Sequence, residues 1–198
     1  MFGFALAVFS MVITPGPAVL ALAGVGAAFS FKIGVRFLIG LTVGYLVVWM
    51  LVISGCASIM FSIPFTRIIF LIISTGYLSY LALVIILQGS RTTFIIPKKV
   101  PTIKDGIILQ LMNPKAYAFH SILFTGFIVF PENFLLETTW KFLLMNLIWI
   151  PLHLGWLKLG TSFKKFNLTS DSQKRLNIIL GVSLLITAFL SFLSLTQV

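Results

Sequence analysis

No charged side chain occurs between Met1 and Phe31, and long uncharged apolar runs recur along the rest of the chain. Such runs leave few folds open. A helix needs about 20 apolar residues to cross a hydrocarbon layer about 30 Å thick. A transmembrane barrel would instead show short segments of alternating polarity. Only 9% of the residues are charged, where a soluble domain carries roughly 25%. The chain therefore reads as an all-α integral membrane protein, a single polytopic domain over residues 1–198.

The charges mark off six expected transmembrane helices. The first lies before Lys32 and the second between Arg36 and Arg67, ending near Pro64. The third covers about Ile68 to Leu87 and the fourth about Ile107 to Phe130. The fifth lies between Lys141 and Lys158 and carries Pro151 and His153; the sixth runs from about Leu176 to Leu195. The basic residues alternate between the intervening loops. Lys32 and Arg36, then Arg91, Lys98, Lys99 and Lys104, then Lys158, Lys164, Lys165, Lys174 and Arg175 fall on one side, and only Arg67 and Lys141 on the other. The positive-inside rule puts the richer side in the cytoplasm and both termini outside. The net charge of +10 is thus a topology signal, and nucleic acid is not an expected partner. The first segment has no basic flank before it and is expected to stay, not to be cleaved as a signal peptide. Cys56, the one cysteine, has no disulfide partner within the chain and is expected to pack as a small apolar residue.

Two of the expected helices are broken. The first contains Thr14-Pro15-Gly16-Pro17 and the fourth contains Asn113-Pro114-Lys115. Proline in a helix interior removes a donor and clashes with the preceding turn. Pro15 and Pro114 lie 99 residues apart, half of the chain. At 1.5 Å per residue Pro15 lies about 15 Å into its helix and Lys115 about 12 Å into the other, both near the midplane. Each break sits in the first helix of a set of three, so the second set enters from the opposite face. The expectation is a 3+3 inverted repeat, with halves of about 1–90 and 106–198 joined by a cytoplasmic linker of about 91–105. Paired interruptions of this kind point to a transporter's binding site. A simple kink at Pro15–Pro17 and a snorkelling or paired Lys115 are the competing readings.

Broken helices expose amides on one side of the gap and carbonyls on the other. Pro17 and Pro114 suit the first turn of a new half-helix. Such helix starts attract anions, and Lys115 adds a full charge whose place at mid-membrane requires a reason. Amides, a lysine, carbonyl acceptors and the polar side chains of Thr14 and Asn113 together suit a zwitterionic amino acid. The expected substrate-binding residues are Thr14, Pro15, Gly16, Pro17, Asn113, Pro114 and Lys115. Asp105, Glu132, Glu137 and Asp171, the four acids, fall outside the spans or at their ends. With no acid to neutralise a basic substrate, a neutral amino acid is favoured.

With these motifs the chain resembles the LysE/RhtB (lysine exporter and homoserine/threonine resistance) family of small bacterial amino-acid exporters. The resemblance covers nearly the whole chain. It rests on Thr14-Pro15-Gly16-Pro17, on Gly40 and Gly44, on Gly76-Tyr77-Leu78-Ser79-Tyr80-Leu81, on Leu111-Met112-Asn113-Pro114-Lys115 with Phe119, and on Arg175 and Gly181. It implies proton-coupled efflux of amino acids or close derivatives across the bacterial plasma (inner) membrane. The chain departs from the pattern at Ser30–Gly34, at Ala82, at Thr125–Phe127 and at Trp149, near which some relatives carry a carboxylate.

Tyr77 and Tyr80, one turn apart, are candidates to line a pathway, with packing as the alternative. His120 and His153 are candidates for a proton relay, because histidine titrates near neutral pH, with packing again the alternative. His120 lies about 140° round the helix from Lys115, so the two do not share a face. Two separate histidines and the absence of an intramembrane acid argue against a metal site or an intramembrane enzyme, and no cofactor is expected. A noncatalytic membrane subunit, or an exporter that has lost its activity, is the remaining alternative. Oligomeric state has no signal in the sequence.

Overall fold

A computed structural model describes residues 1–56, 62–87 and 99–162, together with 170–172, 174, 175, 177–179, 181, 182, 185, 186 and 189; within 64–87 the side chains of Arg67 and Tyr77 are among those outside the described set. Arg91, Lys98, Lys164, Lys165 and much of the expected sixth span lie outside the described residues. What is described is all helix and connection. Among the described residues seven helices have defined bounds: α1 (Phe2–Ile13), α2 (Pro17–Ala28), α3 (Phe31–Ile53), α4 (Pro64–Leu87), α5 (Ile103–Leu111), α6 (Pro114–Thr125) and α7 (Phe134–Ser162).

These seven cover five of the six expected spans, because the first and the fourth are each divided by a break. α1 and α2 together are long and apolar enough for one span and are bent by 52° at their break, and α5 and α6 are separated at Met112–Asn113. α3 and α7 are each long and apolar enough to cross a membrane.

Three boundaries differ from the sequence reading. α3 stops at Ile53, well before Pro64, because Gly55 adopts φ 75°, a left-handed conformation that side chains disfavour. The fourth span ends at Thr125, not Phe130. Its connection instead turns back so that the amides of Val129 and Phe130 donate to the Glu137 carboxylate. The fifth span is a continuous helix of 29 residues with Pro151 inside it, about 43 Å long at 1.5 Å per residue. It therefore includes Lys141, which the charge pattern places in a loop. Cys56, expected to pack inside, is exposed.

The core lies where α1, α2, α3, α5, α6 and α7 converge, around Val8, Leu22, Leu41, Tyr45, Leu123 and Trp149. The packing is crosswise. The α1–α2 span lies mainly along α7, and α5–α6 mainly along α3. Glycines set both seams. A Cβ on Gly40 would collide with the Ile103 carbonyl, and one on Gly106 would stand 2.9 Å from the Leu41 amide. A Cβ on Gly160 would likewise collide with the Ala23 carbonyl. Such contact between backbones is open only to residues lacking a side chain. In the same way Gly181 sets the C-terminal helical residues against Ala82 and Ile86 of α4. These contacts bring the start of α3, the start of α5 and the end of α7 to one end of the molecule, so Lys32, Arg36, Lys99, Lys104 and Lys158 share that end. The opposite end is aromatic, with Phe4 against Phe127 and Trp140.

Candidate functional site

The two breaks meet. α1 ends at Thr14, whose backbone is extended, and α2 restarts at Pro17 with Gly16 as its N-cap. Thr14 turns its hydroxyl back to the Ser10 carbonyl at 2.7 Å, so the side chain expected to meet substrate is spent on its own helix. No side chain caps α2. With Pro17 lacking an amide hydrogen, the amides of Ala18 and Val19 are the free donors of its first turn.

The second break is built differently. Asn113 is buried and caps α6, its Oδ1 accepting from the Lys115 amide at 3.1 Å, and Pro114 occupies the first helical position. The Asn113 oxygen thus serves the fold. Lys115 then reaches across the gap, and its Nζ donates to the Thr14 carbonyl at 2.6 Å. Gly16 makes this reach feasible, since a Cβ there would stand 3.0 Å from Lys115 Cδ.

Around this bridge is a cavity whose space for water-sized molecules is about 40 Å³. The space is large enough for water, and the polar atoms of Tyr45 and Gln110 that lack a protein partner offer it bonds. Thr14, Gly16, Ala18, Asn113 and Lys115 line it, joined by Tyr45, Gln110, Trp149 and His153. Its apolar wall is Met11, Val12, Val19, Ala116 and Phe119. No carboxylate appears in this lining. His153 stacks on Trp149, ring centroids 3.6 Å apart, with Nδ1 2.9 Å from the Trp149 carbonyl. Trp149 in turn lies 4.9 Å from Tyr45.

The structure sorts the sequence-derived candidates. It brings Thr14, Gly16, Asn113, Lys115 and His153 to one cavity, with Pro15, Pro17 and Pro114 shaping the backbone beside them. His120 stands outside the lining, buried behind Tyr45 at 4.5 Å, and neither of its ring nitrogens has a protein partner. Tyr80 is exposed on α4, away from the cavity; the Tyr77 side chain lies outside the described residues.

The sequence reading missed Tyr45 and Gln110. Both are buried, and the Tyr45 hydroxyl and Gln110 Oε1 have no protein partner. Buried polar atoms in that state mark a place for water or ligand. The signal for Gln110 was a lone amide in an apolar run opposite Gly44, where a Cβ would stand 2.7 Å from the Gln110 Cβ.

The charge pattern also concealed a second polar cluster. Lys141 is 1% exposed. Its Nζ lies 2.6 Å from Glu137 Oε1 and donates to the carbonyls of Phe124, at 2.9 Å, and Phe127. It sits over the Phe4 and Phe124 rings. All three ammonium donors are used, so this cluster ties the end of α6 to the start of α7 and offers no free group to a ligand.

The family model for the LysE type translocator matches residues 9–194. No curated protein and no solved structure matches the chain.

Proposed function

Because the chain belongs to the LysE type translocator family, a family of transporters and not of enzymes, we propose that it exports amino acids or close derivatives across the bacterial inner membrane. The observation that carries this reading is the bridge from Lys115 to the Thr14 carbonyl, which joins the two broken helices at one small, largely apolar cavity with a few polar groups. The amides of Ala18 and Val19, with Lys115, would receive the substrate carboxylate. The α1 carbonyls would receive its ammonium. With no carboxylate lining the cavity, a neutral amino acid is preferred over lysine or arginine.

Crosswise packing supports an inverted repeat of residues 1–90 and 106–198, since exchange of the halves maps the α1–α2/α7 seam onto the α5–α6/α3 seam. The end that gathers Lys32, Arg36, Lys99, Lys104 and Lys158 would face the cytoplasm. His153, at the cavity, is the proposed proton carrier, with His120 in reserve behind Tyr45.

Export from dipeptide-fed cells tests the reading. Leucine and threonine should leave faster with the intact protein than with Lys115→Ala, and lysine should not. Faster export of lysine, or equal efflux of every amino acid from both proteins, contradicts it.

A further inference from the structure

We propose that Lys115 stands in for the substrate's ammonium when the site is empty, and so allows the unloaded protein to complete its cycle. This rests on the export reading above. The last carbonyls of α1 have no helical amide to receive. The Ser10 carbonyl is served by the Thr14 hydroxyl. The Thr14 carbonyl is served by Lys115, from the other half of the chain. Water at the cavity could also reach this carbonyl, but a bond from an ammonium is among the stronger ways to satisfy it.

The arrangement is specific. No acidic side chain lines the cavity, so the ammonium rests on a carbonyl and not on a carboxylate. Gly16 leaves the passage open, since a Cβ there would lie 3.0 Å from Lys115 Cδ and 3.3 Å from Nζ. The bridge spans 101 residues of sequence and connects the two broken helices. An entering amino acid brings an ammonium that competes for the same carbonyl and a carboxylate that attracts the displaced lysine. When the amino acid leaves, Lys115 returns. The carbonyl is therefore occupied in both the loaded and the empty crossing. Without Lys115 only the loaded form crosses at speed, which allows exchange of one amino acid for another but not net efflux.

Proteoliposomes separate the two fluxes. Vesicles filled with saturating radiolabelled leucine or threonine are diluted into amino-acid-free buffer for net efflux, or into the unlabelled amino acid for exchange. Lys115→Met should weaken binding in both modes by raising half-saturation. At saturation its ratio of net efflux to exchange should fall at least about tenfold, as expected for the loss of one charge-assisted hydrogen bond. Lys115→Arg, which keeps the charge and the reach, should restore much of the ratio. Gly16→Ala should lower the ratio to a smaller degree by crowding the lysine from its rest position. An unchanged ratio in Lys115→Met overturns the inference while leaving the export reading in place. Equal loss of both fluxes in Lys115→Met, with both retained in Lys115→Arg, also overturns it, because the lysine would then be needed for the loaded crossing too. If the wild-type protein carries neither leucine, threonine nor lysine in either mode, the export reading falls and this inference falls with it.

Discussion

Glu137 and Lys141 illustrate how burial changes the role of a charge. Each is on the first two turns of α7, and each is buried. Removing one partner leaves the other charge with backbone hydrogen bonds but no counter-charge; breaking a buried pair in this way costs up to about 3–5 kcal/mol, whereas replacing both by apolar groups is often far milder. Lys141→Met should therefore lower the detergent unfolding midpoint sharply, and Glu137→Leu with Lys141→Met should recover part of the loss. The recovery is incomplete because Glu137 also receives the Val129 and Phe130 amides. At the other end of the molecule Asp105 closes a capping box with Thr102. The Thr102 hydroxyl and then its amide hold the Asp105 carboxyl below the usual carboxylate range. A lowered folded-state value stabilises above the unfolded-state value and is lost as pH falls through the folded one. Melting followed down through pH 4 should show the wild type losing stability that Asp105→Asn already lacks. Asn113-Pro114-Lys115 was legible in sequence because proline and mid-span charge are costly enough to demand a reason. Gln110, Tyr45 and Lys141 were not, because one polar side chain in an apolar run does not disclose which face it occupies or what lies opposite.

Helices in this chain are held at close range by glycine. Gly40 and Gly106 join α3 to α5, and Gly160 joins α2 to α7. Overpacking of this kind costs typically about 1–3 kcal/mol, so Gly40→Ala and Gly160→Ala should both lower the unfolding midpoint. Gly76, with nothing among the described residues within 4 Å of its added Cβ, is the control. Gly76→Ala should be neutral or stabilising by up to about 1 kcal/mol, since alanine is the better helix former. The apolar runs made the helices legible. Their ends were less so: Gly55 stops α3 and the Glu137-bonded turn stops α6, both through backbone conformation that hydropathy does not encode. Pro151 shows the reverse case, a proline that α7 absorbs without ending.

At the scale of the whole molecule, Lys32, Arg36, Lys99, Lys104 and Lys158, among the described residues, gather at one end, while Phe4, Phe127 and Trp140 close the other. In a background with Cys56→Ala, a cysteine at Glu132 should react with an impermeant maleimide on intact cells, and one at Lys104 only after permeabilisation. Reversed labelling would invert the proposed orientation. The shared end of these basic residues was legible in their spacing, but the crosswise seams were not, since they depend on which glycine meets which backbone. Those seams have a mechanical meaning. Side chains can change rotamer under load, but two backbones in contact have nothing left to rotate. The α1–α2 span with α7, and α5–α6 with α3, thus behave as two stiff jaws. Where α1 faces α6, Lys115 of one jaw reaches the Thr14 carbonyl of the other. At the cavity, the charge between these two stiff parts is thus carried on a flexible arm.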